Sequence, residues 1–215
     1  MPASSPIRFV AAAVTSGNKT THTVTVPAGV QAGDALVLLL ATNNLASVSA
    51  PTGVTGWTQV NGLATASARS VVWRKTAVAA DAGKVIQVAL GSMTKADLVV
   101  LAYRGTASNP IAAHAVVADA NNTTVHVTPT LTVGNARSWV VSFWTHKDST
   151  TTELTPPAGV TVRASASQSG SGMITALVAD SGGPVPAGSV GGLAATAAAP
   201  ASNAHMWTIV LAPSP

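Results

Sequence analysis

The 215-residue chain is 47% hydrophobic, 4% aromatic and only 8% charged, with no cysteine; an ordinary soluble domain carries roughly a quarter charged residues. This composition excludes a disordered chain, a charged coiled coil, a disulfide framework and a thiolate metal site. The net charge is +4 and the eleven Lys and Arg are scattered, whereas a nucleic-acid binder gathers its cations to neutralise several phosphates together, so no nucleic-acid partner is expected.

Along the chain, Met1-Pro2-Ala3-Ser4-Ser5-Pro6 has no basic region and the apolar stretch at 9–14 is too short for a signal peptide. Residues 22–26, His-Thr-Val-Thr-Val, alternate polar and apolar as a strand with one wet face does. A turn over 27–34 leads into 35–41, a strand apolar on both faces and about a third of a membrane span; no membrane insertion is expected. Further strands are predicted over 67–75, 84–90, 97–103, 138–145, 161–166, 173–179 and 206–211, punctuated by Gly, Pro, Asn and Asp. The Ala-rich segment 194–201 favours helix by propensity, but its Gly, Thr and Pro neighbours argue for strand or loop. Almost no helix is expected.

Compared with itself, the chain repeats. Pro51-Thr52-Gly53-Val54-Thr55 matches Pro157-Ala158-Gly159-Val160-Thr161, 71–77 matches 174–180, 81–85 matches 186–190, and 96–105 matches 204–213. Matched blocks in conserved order at an offset near one hundred indicate an internal duplication, with halves of about 7–105 and 106–213. The connection 106–122 carries Ile111, Val116 and Val117 and is too apolar for a flexible linker. Few large side chains are available to each half, which favours one shared core. The expected fold is therefore all-β: a single jelly-roll-like antiparallel β-sandwich of roughly ten to fourteen strands built from two related halves.

Several blocks carry a family resemblance: the turn Pro27-Ala28-Gly29-Val30-Gln31-Ala32-Gly33-Asp34 before an apolar strand, Gly56-Trp57-Thr58, Val71-Val72-Trp73-Arg74-Lys75, Leu101-Ala102-Tyr103-Arg104-Gly105 leading to Asn109-Pro110-Ile111, and Pro156-Pro157-Ala158-Gly159-Val160-Thr161. In that order they resemble a β-sandwich protein of actinobacterial phages and prophages, described as minor tail, tail-fibre or virion protein. The resemblance spans nearly the whole chain and implies a structural role on the particle exterior, with capsid or tail proteins as partners; it supplies no catalytic residues. A capsid-decoration or tail-associated subunit is thus the expected function, and a glycan-binding or host-adhesion module the alternative. The sparse charge and small Thr, Ser and Ala side chains make a surface that is easily desolvated, so a homo-oligomer is expected.

No chemical signature stands out. The histidines (22, 114, 126, 146 and 205) have no metal-binding spacing, and neither a nucleophile elbow nor a phosphate loop occurs. Asp148 and Glu153 are the close acid pair, in a Thr-rich loop that reads as solvated. No enzyme, cofactor or metal site is expected. Asp34 should bond to amides of its own turn, and Arg104 should pair with Asp34 or Asp97 or contact a neighbouring subunit. Trp57, Trp144, Arg104, Asp148 and Glu153 are the candidate ligand or subunit contacts. The loops 47–56 and 147–157 follow equivalent strands and should lie on related sides of the sandwich.

Overall fold

Strands apolar on both faces need cover on both faces, and this requirement organises the molecule. The computed structural model describes residues 6–119 and 121–215; the terminal segment 1–5, considered above for a leader, lies outside the described residues. Fourteen strands form in chain order: β1 (Arg8–Thr25), β2 (Ala35–Thr42), β3 (Thr58–Ala64), β4 (Arg69–Thr76), β5 (Val85–Arg104), β6 (Thr106–Ala118), β7 (Thr123–Val127), β8 (Leu131–Val133), β9 (Trp139–Asp148), β10 (Thr161–Ser167), β11 (Met173–Asp180), β12 (Gly188–Val190), β13 (Ala194–Ala201) and β14 (Ala204–Pro213). One 3-10 turn, Ala79–Asp81, is the helical element among the described residues. The expected all-β antiparallel sandwich is what the structure holds.

Each half builds one sheet rather than alternating between the two. The first has the order β1-β5-β2-β4-β3, and the second, read from its far edge, β6-β14-β9-β11-β10. Chain order within the two sheets is therefore the same. Bulges recur at matching places: register slips at Val10 and again at Ala112, and at Val60 and again at Arg163. A bulge bends one strand at one residue, so its repetition is a finer sign of duplication than composition. These registers also shift two sequence matches. Gly56, not Gly53, corresponds to Gly159, with φ of 84° and 81°; β4 matches β11 at an offset three residues longer than the sequence blocks suggest.

The inner faces meet in a shared core. Val37, Leu39, Val99 and Leu101 of the first sheet pack with Val141, Phe143, Val178, Trp207 and Ile209 of the second. β1 lies against β10, and β3 and β4 lie against β6, the arrangement that a two-fold relation between halves produces. The alternate residues of β2 (Leu36, Leu38 and Leu40) face outward into a second core with Val24, Val26, Ile86 and Val88. Val24 lies at the end of β1, Val26 just past it, and Ile86 and Val88 at the start of β5. Register there jumps from Lys19–Thr94 to Thr21–Ala89, and the ribbon bends back over its own sheet. His22, buried at the bend, fixes it through contacts of Nε2 with the carbonyls of Lys19 (3.2 Å) and Thr94 (3.1 Å). In the second half the same cover comes from β7 and β13, which pair separately over Trp144, Leu177 and Met206.

The sequence reading splits or misses several of these pieces. Two predicted strands are one long β5, the apolar connection is β6, and β3 is short and mostly exposed. The segment 194–201 is strand, as its neighbours argue.

Because the inner core is common to both sheets, urea unfolding should give one transition, with tryptophan fluorescence and far-UV circular dichroism coinciding. Leu39→Ala should lower its free energy by about 2–5 kcal/mol, the usual range for a truncated core leucine, without splitting the transition.

Candidate functional site

The five candidate contacts do not converge. Trp144 is fully buried, and its Nε1 donates to the His126 carbonyl at 3.1 Å. Trp57 is half-buried against the outer core of the first sheet, with Nε1 buried and without an acceptor. Arg104 forks onto buried Asp34, Nε to Oδ1 at 2.6 Å and Nη2 to Oδ2 at 2.7 Å, and also reaches the Gly29 carbonyl. Of its expected partners the structure selects Asp34, which also accepts the Gln31 amide at 2.8 Å as a turn carboxylate should. Asp148 is closed into its own turn by the amides and hydroxyls of Thr150 and Thr151. Burial works to raise its pKa, but those bonds outweigh it and hold the carboxyl below the ordinary value. Glu153 is exposed on the loop. The two carboxylates have different surroundings rather than a shared cleft. The loops carrying Thr52 and Thr155 bridge to Gln87 and Thr196 of their own ribbons, so they cover opposite outer faces and form no common site.

The fold instead assembles clusters from residues that look isolated in sequence. Alternation along β9 puts His146 on the same outward face as Trp144, and β7 lays His126 over it. The result is a chain of four titratable groups. Asp119 Oδ2 contacts His126 Nδ1, His126 Nε2 lies 2.8 Å from His146 Nδ1, and His146 Nε2 stands 3.5 Å from Asp148 Oδ2. A gap in this chain is bridged only where a ring N–H points into it. The long gap is the one left unfilled, and His146 Nε2 has no hydrogen-bond partner. Burial, then the neighbouring His126, lowers the pKa of His146, keeping that ring neutral. Both rings are fully buried, so the chain is a packed polar seam beneath the surface.

A second pair of clusters lies where the halves meet. Asp97 pairs with Ala41, and His205 with Thr145, at equivalent places in the two sheets. Each is reached by the residue that follows the edge strand of the opposite half. Gln168 Nε2 donates to Asp97 Oδ1, and Thr65 Oγ1 lies 3.0 Å from His205 Nε2. Asp97 Oδ1 also accepts the Ser16 hydroxyl at 2.7 Å, whereas Oδ2 is buried with no partner. Burial pushes its pKa up to about 7 against the hydrogen bonds. Above it opens a polar cleft of ≈ 510 Å³ lined by Ser16, Asn18, Lys95 and Gln168. At His205, Trp207 Nε1 donates to Ser70 Oγ at 2.9 Å, and Ser70 lies 2.9 Å from His205 Nδ1. Burial brings the His205 pKa down to about 4. This is a serine–imidazole contact of hydrogen-bond length, but Ser70 is sealed at 0% exposure, and Thr65, not a carboxylate, orients the ring. The contact spans the two halves, with the serine closed off from solvent.

Comparison with protein-family models, with curated proteins and with solved structures finds no match.

Asp97 and His205 impose opposite pH dependences. The Asp97 pKa lies above its ordinary 3.8, so its contribution is most favourable below pH 3.8 and falls as pH rises to about 7. The His205 pKa lies below its ordinary 6.5, so its contribution is full above pH 6.5 and falls as pH drops towards 4. Relative to the wild type, Asp97→Asn should gain stability as pH rises from 4 to 7, by up to ~1.4 kcal/mol per pH unit. His205→Gln should gain relative stability as pH falls from 6.5 to 4. Urea titrations across this range check both signs.

Proposed function

We propose that this chain is a non-enzymatic structural subunit of a bacteriophage particle, a compact decoration or tail-associated protein that packs through the surfaces of its sandwich. The observation that carries this reading is where the chemistry-bearing side chains are used. Asp34 holds Arg104, Asp180 holds Arg163 and Tyr103, and Asp81 holds Lys75 at 3.1 Å with both side chains nearly inaccessible. Asp119 and Asp148 flank the buried histidines, and Asp97 sits between the halves. Of the seven acids only Glu153 is exposed. Arg8, Lys19, Lys84 and Arg137 are exposed, so cations outnumber anions four to one among the fully exposed charged residues.

Supporting features come from the edges. β1 and β6 are long outer strands, each paired on one side only, with Val14 and Val117 exposed on them. Such edges pair readily with other chains unless blunted; neighbouring subunits on a particle would use them. The motifs behind the family resemblance fit the same picture, since each does structural work. The 27–34 turn seats Asp34 under Arg104, and Tyr103 joins the two halves by donating to Asp180 at 2.9 Å.

The glycan-binding alternative has less support. Sugar stacking needs an exposed aromatic face; Trp73, Trp139, Trp144 and Trp207 are buried and Trp57 is half-buried.

Purified particles labelled with antibody against this chain should carry it in many regularly spaced copies, on either head or tail. Recovery of the protein only as free chain in a lysate, with none on particles, overturns the proposal. Purified alone at high concentration, it should associate beyond a monomer in sedimentation.

A further inference from the structure

The duplication provides an internal comparison that exposes a site in one half. In the first sheet the outer core is continuous: Leu36, Leu38 and Leu40 pack with Trp73 and Val100, and Trp57 closes over the cluster. In the second sheet the equivalent core is broken in two. One part holds Trp144, Leu177 and Met206, the other Val133, Val140 and Val210. The break coincides with a half-open cavity of ≈ 220 Å³ lined by Val140, Ser142, Val160, Val185, Val190 and Leu193.

The substitutions that open it follow from the matched registers. Val140 and Ser142 occupy the places of Leu36 and Leu38, because Ala41 and Thr145 are equivalent. Val160 follows Gly159 into β10 as Trp57 follows Gly56 into β3, and both glycines have positive φ. Ser181, beside Val140, stands where Lys75 stands beside Leu36; Lys75 forms the ion pair with Asp81. Two tryptophans, two leucines and a lysine of the first half (Trp73 against Ala179 among them) are thus matched by two valines, an alanine and two serines in the second. The rest of the lining is Val, Leu and Gly with Asp180, whose carboxylate is taken up by Tyr103 and Arg163. The Ser181 hydroxyl is occupied, donating to the Gly183 carbonyl at 2.6 Å and accepting the Val140 amide.

We propose that this cavity is a binding site for a small neutral aromatic molecule of indole size, occupying the place that the Trp57 side chain fills in the first half. Volume fits: an apolar cavity of ~150 Å³ admits benzene, and the space here suits a bicyclic ring. Chemistry fits as well. The walls favour an uncharged apolar ligand with few polar atoms. Trp57 Nε1 has no acceptor in the first half, whereas the second half has the Ser142 hydroxyl where the first has Leu38, and this hydroxyl can accept one ring N–H. The inference does not depend on the protein belonging to a particle.

The test uses the full-length chain, indole in calorimetry and 5-fluoroindole in fluorine NMR. The wild type should bind one equivalent saturably and show a rise of several degrees in Tm at saturating indole. Val160→Trp fills the cavity from within; it should abolish binding and raise the Tm without ligand. Trp57→Val should open the twin cavity, lower the Tm and bring the stoichiometry to two. Should Trp57→Val not fold, Ser142→Leu provides a milder probe and should weaken binding at least tenfold. Absence of saturable binding to the wild type, or binding that Val160→Trp and Ser142→Leu both leave intact, overturns the proposal.

Discussion

The structure depends on one constraint: its central strands are apolar on both faces, so neither sheet is stable with only one face covered. β2 reads Ala35-Leu36-Val37-Leu38-Leu39-Leu40-Ala41 without a polar break and is wholly buried. Antiparallel sheets usually leave one face to water and show it by alternation. Here the inner face is closed by the other half and the outer face by the half's own bent ribbon. The bulges, the bend at His22 and the contact of β1 with β10 and of β6 with β3 all serve these two closures.

Polar groups are placed along the same seams. Phe9, Tyr103 and Trp139 form edge-to-face contacts at 5.6 and 6.2 Å, with the Arg163 guanidinium 4.2 Å over the Phe9 ring and its Nε on Asp180. This cluster joins five strands from both halves. Buried ionic groups with several partners define geometry more than they add stability; here they set how one sheet is seated on the other. The acids spent this way are scarce in the sequence, which is why little negative charge is left outside.

Much of the fold was legible because strand burial writes itself into apolar runs and turns into Gly, Pro and Asp. The segments 35–41, 138–145 and 173–179 needed no tertiary information. The duplication was legible too, but its register was not: Pro51-Thr52-Gly53 and Pro157-Ala158-Gly159 look alike, whereas the backbone equates Gly56 with Gly159. Turn motifs recur wherever a positive φ is needed, so likeness of residues there does not imply likeness of place. The polar clusters were illegible for a different reason. His126 and His146, or Asp97 and Gln168, meet only through folding of the ribbon and stacking of the sheets, and no spacing along the chain encodes either. The parity of β9 placed His146 beside Trp144, and that was the one available sign. Residue type marks Trp144 and Arg104 as candidate contacts, but type does not distinguish a group facing a partner from one already satisfied inside.

The covalent joining of two matched sheets has a consequence for how the molecule can change. In a symmetric homodimer every substitution appears at both sites, so a residue that improves one position must be tolerated at its mirror position. Once the two copies share a chain, that coupling disappears. An acid can stand at 97 and an imidazole at 205, a tryptophan at 57 and a valine at 160, each judged by its own surroundings. The seam between the sheets then holds the two halves to one shape, while one half is a filled scaffold and the other is free to be hollow.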